Sequence, residues 1–243
     1  MDKAIILLSG GMDSAVALAE AINNGFDIAA LHLNYGQRTQ KRELQAFSDL
    51  CNYYSIQEKL VVDIEYLNQI GGTSLIDKSI PVPKNTISQN KNENFQNDNL
   101  KNSINSINKI PSTYVPFRNG NILAIATSWA EIINANAIYI GANTIDSSGY
   151  PDTTAEFLSA FELAANLGTK FGLSGERKLK IYSPLINFSK KDIVLHGIEL
   201  GVPFELTWSC YEDNEIACGE CESCLLRLRG FREAGAIDPI PYK

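Results

Sequence analysis

Short apolar runs alternate with amphipathic stretches along this chain. Ala4 to Leu8 is an unbroken apolar run that stops at Ser9-Gly10-Gly11, after which Ala15, Val16, Leu18, Ala19 and Ile22 recur at helical spacing up to Gly25. The pattern predicts a strand, a glycine turn and a helix. Ile28 to Leu33 predicts a second strand, Thr39 to Tyr54 a helix and Lys59 to Ile64 a third strand. Farther on, Gly120 to Ile133 reads as a helix, and Ala137 to Ile140 as a strand running into Gly141-Ala142-Asn143. Phe157 to Leu167 and Ser189 to Leu200 are two more helices, the second with Ser189 placed to cap it, and Ile181 to Pro184 is a short extended piece. Strands and helices at this spacing predict an α/β fold with a doubly wound parallel sheet. Ligands of such sheets sit outside the carboxyl ends of the strands, which draws attention to Ser9-Gly10-Gly11 and Gly141-Ala142-Asn143.

One stretch breaks the pattern. From about Asn85 to Lys109 the chain is dominated by Asn, Gln, Ser and Lys, with few large apolar residues to anchor it. It reads as a mobile insertion, a lid over a site being the functional alternative. The expected division is a main α/β domain over 1–205, carrying that insertion, and a small C-terminal segment over 206–243. For 243 residues, one principal core is the economical expectation.

Lys and Arg number 21 against 28 Asp and Glu, a net charge of -7, which argues against broad electrostatic capture of nucleic acid. No run approaches the roughly 18 to 20 apolar residues of a membrane helix, and the N-terminus lacks the apolar region and cleavage site of a signal peptide. The expectation is a cytoplasmic protein with no membrane partner.

Leu8-Ser9-Gly10-Gly11-Met12-Asp13-Ser14, between the first strand and the first helix, has the makings of a phosphate cradle. Glycines let the backbone approach an oxyanion, successive N–H groups point at it, and the positive end of the helix dipole completes the site. Ser9 and Ser14 add hydroxyl donors. A Walker loop needs a Gly-Lys-Ser/Thr ending that is missing here, and G-x-G-x-x-G is not matched. What remains, S-G-G-x-D-S, resembles the PP-loop of the N-type ATP pyrophosphatases. That resemblance implies an ATP-binding stretch of Leu8, Ser9, Gly10, Gly11, Met12, Asp13, Ser14, Ala15, Val16, Ala17 and Leu18. It also implies cleavage of ATP between its α and β phosphates, with pyrophosphate held by the loop. Asp13 either helps organise Mg²⁺ or caps the loop, and Mg²⁺ is expected with the triphosphate.

Five cysteines are present. Cys51 stands alone in a helical stretch and reads as a small core residue. Cys210, Cys218, Cys221 and Cys224 are close enough along the chain to surround one tetrahedral ion, Zn²⁺ by preference, one per chain. Four sulfur ligands leave no open coordination position, so the expected role is structural. An iron–sulfur cluster or redox disulfides are the alternatives.

Further strings narrow the resemblance. Leu33-Asn34-Tyr35-Gly36-Gln37-Arg38, Tyr114-Val115-Pro116-Phe117-Arg118-Asn119, Gly141-Ala142-Asn143 with Asp146-Ser147-Ser148-Gly149-Tyr150-Pro151-Asp152, and Trp208-Ser209-Cys210-Tyr211 all resemble the 7-cyano-7-deazaguanine synthase family, in the family's order. The resemblance implies that the carboxylate of 7-carboxy-7-deazaguanine attacks ATP and that ammonia turns the acyl adenylate into an amide. A second activation then dehydrates the amide to a nitrile. It implies a homodimer as well. Asp13 in the loop, Arg118 in V-P-F-R-N and Lys190 in the family-like string S-K-K-D are the catalytic candidates, the two cations as help where charge accumulates on the α-phosphate, with solvated surface the alternative for each. Asp146, Tyr150 and Asp152 are the candidates for reading a guanine-like ring, with Asp152 alternatively a helix N-cap. His32, at a strand end beside the loop, either approaches adenine or is a satisfied strand-end histidine, and His196 has no assigned role. The chain departs from the family at Thr153-Thr154, where many relatives carry Cys-Arg.

Two other functions compete. A tRNA-modifying PP-loop enzyme needs a basic RNA-binding surface or an added domain, which the acidic charge balance disfavours. A zinc-knuckle binding module on a degenerate nucleotide fold is disfavoured by the intact Ser9 to Ser14 loop.

Overall fold

Two apolar strands, each buried on both faces, form the middle of the sheet. In β1 (Lys3–Leu7) every residue after Lys3 is buried. The glycine turn then delivers the chain into α1 (Met12–Asn23). This is a computed structural model, and it describes residues 2–84, 110–145, 149–175 and 178–243. The chain continues through β2 (Asp27–Asn34), α2 (Gln40–Tyr53), β3 (Glu58–Asp63), α3 (Tyr66–Ile70), α4 (Arg118–Ile133) and β4 (Ala137–Ile140). It ends with α5 (Ala155–Leu167), α6 (Lys170–Ser174), β5 (Lys180–Tyr182), α7 (Lys190–Glu199) and α8 (Glu222–Glu233).

The sheet has five strands in the order β3-β2-β1-β4-β5. All its pairs are parallel, Ile6 standing opposite Ala30 on one side and Tyr139 on the other. β1 and β4 are continuous apolar runs because helices cover both faces, whereas β3, at an edge, alternates in burial. Successive β1 residues point to opposite faces. Ile6 and Leu8 join Val16, Leu18, Phe47, Leu50 and Val194 in one core layer, and Ile5 and Leu7 join Leu31, Leu123, Ile138 and Leu179 in the other. Cys51 is fully buried in the first layer, and burial pushes its thiol up to about 11, which fits an inert core residue.

The observed helix caps refine the expected ones. Ser189 caps α7 through the Asp192 N–H, and Asp192 returns the bond to the Ser189 N–H, closing a capping box. At α5 the cap is Thr154, whose hydroxyl accepts from the Phe157 N–H at 3.1 Å, and not Asp152. Thr154 therefore has a local task. α8 was not expected from the pattern. Its face is marked by cysteines, an arginine and a glycine, and these give little apolar periodicity to read.

The expected insertion at about 85–109 lies outside the described residues. On its near side Lys84 forms an antiparallel bridge with Cys221, and beyond its far side the Ser112 carbonyl accepts from the Ser74 N–H. Asp146 also lies outside the described residues.

The chain leaves β1 toward one side of the sheet and returns at β4 on the other, so the strand order reverses between these neighbours. The loops after β1 and β4 therefore meet over a crevice, the topological switch point of the sheet. They meet closely. A Cβ at Gly141 would lie 2.8 Å from the Asp13 carbonyl carbon and 2.9 Å from the Ser14 nitrogen. Gly141→Ala is accordingly expected to lower the unfolding free energy by about 1–3 kcal/mol, the usual cost of overpacking, as read from urea denaturation.

Candidate active site

The loop after β1 is shaped by its neighbours. Gly10 has φ +88, and a Cβ there would fall 2.7 Å from the Glu43 carbonyl oxygen, so both its conformation and its space require glycine. Its own carbonyl accepts from the Trp208 N–H at 2.9 Å, which ties the loop to the C-terminal segment. Gly11 is the N-cap of α1 and supplies no side-chain acceptor to the first turn. The N–H groups at that helix start consequently present an anion site. Ser9 and Ser14 face each other at 3.1 Å, and the Ser14 hydroxyl reaches the Gly11 carbonyl at 2.9 Å.

Ser9, Gly11, Met12, Asp13 and Ser14 line a cleft at the switch point. Ala15, Val16, Ala17 and Leu18, the rest of the expected ATP-binding stretch, are fully buried in the core and pack the helix against the sheet. The Lys190 ammonium pairs with Asp13 Oδ2 at 2.5 Å across the cleft wall. Asp13 Oδ1 is buried with no hydrogen-bond partner among the described residues. A buried carboxylate oxygen left over beside a phosphate cradle fits Mg²⁺, a hard cation that prefers oxygen ligands.

Arg118 lines the same cleft. One guanidinium N–H donates to the Tyr35 hydroxyl at 3.1 Å, and the group lies 5.5 Å from that ring's centroid. Burial works against its charge most strongly, yet the Tyr35 and Tyr150 phenols and Asp152 raise its pKa, so it stays a cation. Burial pushes Tyr35 itself up to about 12, which keeps its hydroxyl protonated. Arg118 follows Phe117, a non-glycine residue at φ 55. The Phe117 N–H donates to the Tyr114 hydroxyl at 2.9 Å. The next residue, Asn119, gives its backbone and side-chain N–H groups to the two oxygens of Asp152 at 2.8 and 3.1 Å.

Asp152 has structural partners here. It is buried, does not line the cleft, and spends both oxygens holding the start of α4 beside Arg118. Tyr150 does line the cleft, as do Thr153 and Tyr211, and the Tyr150 hydroxyl donates to Thr113 at 2.9 Å. Sequence reasoning missed Glu43 and Arg227 as cleft residues. Glu43 accepts from Thr39 at 2.6 Å and from Gln37 at 3.1 Å, so the segment after β2 closes onto α2. Arg227 is buried against Asp238, with Nε and Nη2 at 2.8 and 2.9 Å from the carboxylate, and Nη1 reaches Thr207 at 2.6 Å. His32 is a core histidine: Nδ1 meets the Leu8 carbonyl at 3.0 Å, the ring packs on Phe47, and burial lowers its pKa. His196 joins α7 to α1 through Glu20.

The four expected ligand sulfurs, from Cys210, Cys218, Cys221 and Cys224, all lie within 4.8 Å of one another. Backbone N–H groups of Glu212, Asp213 and Cys218 each reach Cys210 Sγ at 3.4 Å, and the Cys221 N–H reaches Cys218 Sγ at 3.3 Å. Donors aimed at sulfur favour thiolates. The set suits a thiophilic ion, with Zn²⁺ fitting a closed tetrahedral site. Without an ion the sulfurs compete for protons. Hydrogen bonds from Cys221 and Cys224 drive the Cys210 thiol well down, and the bond to Cys210 pushes Cys221 up to about 12. Metal loading must therefore expel protons. Titration of the metal-free protein with Zn²⁺ in buffers of different ionisation enthalpy is expected to show proton release, with apparent affinity falling as pH falls.

A family model described as queuosine biosynthesis protein QueC matches residues 3–235. The 7-cyano-7-deazaguanine synthase of Chloroherpeton thalassium is 47% identical over 241 residues, 99% of this chain and 97% of that protein. The protein of the same name from Aliarcobacter butzleri is 48% identical over 241 residues, covering 99% of this chain and 96% of its own length. A 4-thiouridine synthetase solved with RNA and bound ATP superposes with a TM-score of 0.52 at 21% identity, over 99% of this chain and 47% of that one. That likeness is one of fold.

Proposed function

Because this chain belongs to the QueC family of queuosine biosynthesis proteins, we propose that it is a 7-cyano-7-deazaguanine synthase, a C–N bond-forming ligase that consumes ATP. The observation that carries the reading is the uncapped start of α1 at the switch point of the sheet, with Lys190 on one side and Arg118 on another. A helix start with open N–H groups takes the departing pyrophosphate, and the two cations face the charge that grows on the α-phosphate.

In the first activation the carboxylate oxygen of 7-carboxy-7-deazaguanine attacks the α-phosphorus, and the bond to pyrophosphate breaks. Ammonia then attacks the acyl carbon and AMP leaves, giving the amide. In the second activation the amide oxygen attacks the α-phosphorus of another ATP, and a second pyrophosphate leaves. Loss of AMP and protons leaves the nitrile. Asp13, through the oxygen that Lys190 does not use, would hold Mg²⁺, which offsets phosphate charge during both activations.

Tyr150, Tyr211 and Thr153 supply the wall for the ring of the substrate, and Asp152 acts at one remove by fixing Asn119 and hence Arg118. Asp146 stays a candidate for the ring's polar edge. The four-cysteine site holds one Zn²⁺ that shapes the C-terminal segment. No described helix is long and apolar enough to cross a membrane, and four reduced thiols around a metal suit the cytoplasm. The acidic charge balance suits a small-molecule substrate better than RNA, and the working form is taken as a homodimer.

Incubation of the zinc-loaded protein with 7-carboxy-7-deazaguanine, ammonium, ATP and Mg²⁺ is expected to yield the nitrile together with AMP, detected by mass spectrometry. AMP without amide or nitrile would overturn the substrate. Lys190→Ala and Arg118→Ala are each expected to lower kcat/KM about 10²- to 10³-fold, the scale for losing one aimed charge-stabilising group. Wild-type rates in both variants would remove the two cations from the mechanism.

A further inference from the structure

Lys190 is the first residue of α7, and three things hold it there. The Ser189–Asp192 capping box fixes the helix start. Asn143, after β4, donates its side-chain N–H to the Leu185 and Phe188 carbonyls just upstream. The third support is Gly230 of α8, which lies against the Lys190 backbone: a Cβ at 230 would fall 2.9 Å from both Lys190 Cβ and the Lys190 carbonyl oxygen. Glycine inside a helix is a poor choice on propensity, and this approach is its physical reason.

α8 starts at the metal site. Cys221 is its N-cap residue and Cys224 lies in its first turn. Between those ligands and Gly230 stands Arg227, buried and fastened to Asp238, Thr207 and the Phe204 carbonyl. From Cys224 to Gly230 the helix advances about 9 Å, with its midpoint clamped on several sides. A rigid strut thus runs from the cysteine cluster to the backbone of the residue whose ammonium meets Asp13. The circuit closes on the other side, where Trp208, two residues before Cys210, donates to the Gly10 carbonyl.

We propose that Gly230 is a positioning residue for the Lys190–Asp13 pair, and that α8 couples the state of the four-cysteine metal site to the ATP cleft. The proposal deepens the function given above and rests on the catalytic reading of Lys190. Its structural part stands apart from that reading, so the two can fail separately.

The test uses full-length, zinc-loaded protein with the substitution Gly230→Ala. Four quantities are read: kcat and KM for ATP, bound zinc, the urea midpoint, and the side-chain ammonium resonance of Lys190 in ¹⁵N-lysine-labelled protein, assigned by its loss in Lys190→Arg. The expected result is a kcat lower by about 10²-fold, the scale for a displacement of roughly 1 Å at a reacting group. Zinc content stays near wild type, the urea midpoint falls less than in Gly141→Ala because the better helix propensity of alanine offsets part of the overpacking, and the Lys190 resonance moves. In a Lys190→Ala background Gly230→Ala lowers the rate no further, because the two act through one group. Removing zinc from the wild-type protein moves the same resonance. An unmoved resonance in Gly230→Ala, wild-type kcat, or an undiminished further loss in the Lys190→Ala background overturns the proposal. If Lys190→Ala itself turns over at the wild-type rate, the catalytic reading of Lys190 fails, and the resonance alone decides the positioning claim. Should Gly230→Ala not fold, Arg227→Lys loosens α8 without adding bulk at 230; a moved Lys190 resonance supports the strut, and an unmoved one overturns it.

Discussion

A helix that begins without a side-chain cap leaves its first N–H groups for something else to satisfy, and much of this molecule is arranged around that deficit. α1 starts at Gly11, which offers no acceptor to the turn that follows. Two glycines let backbone pack against backbone on either side of the helix start, Gly10 against α2 and Gly141 against Asp13 and Ser14. The start is thereby exposed to the cleft and fixed in place. A phosphate group of the right size completes the hydrogen bonding. The sheet order then decides what surrounds it, because β1 and β4 are neighbours whose connections run to opposite sides.

The cleft walls come from distant parts of the sequence. The segment after β2 contributes Tyr35, α2 contributes Glu43, α4 contributes Arg118, α7 contributes Lys190, and the C-terminal segment contributes Trp208, Tyr211 and Arg227. Trp208 joins the loop through backbone and stacks under Arg42 at 4.6 Å. The cysteine cluster belongs to a satellite core that also includes Ala46 and Val82, so the C-terminal segment packs onto the main sheet domain as well as on itself. A metal held there would organise a wall of the cleft, and four sulfur ligands would leave it no open position for chemistry.

The sheet was readable because its signals are local. Runs such as Ala4 to Leu8 and Ala137 to Ile140 announce buried strands, and the Ser9 to Ser14 string announces the anion site, since period and glycine placement act within a few residues. Spacing brought the four cysteines together for the same reason. Direction was not readable. Asp152 lies in a string that resembles a substrate-binding motif, yet its partner, Asn119, is 33 positions away and no local rule pairs them. Arg227 looks like one of three arginines on a helix surface until Asp238 and Thr207 are seen to enclose it. His32 turned inward because the Leu8 carbonyl beyond β1 was there to receive it.

The chain on either side of the 85–109 stretch is held independently, Lys84 by Cys221 and Ser112 by Ser74. In evolutionary terms this makes the interval between them a place where length can drift. Neither anchor draws on the residues that intervene, so a change in their number leaves the Lys84 and Ser112 contacts as they are. Related chains that differ widely in this interval would then preserve the same chemistry on either side of it.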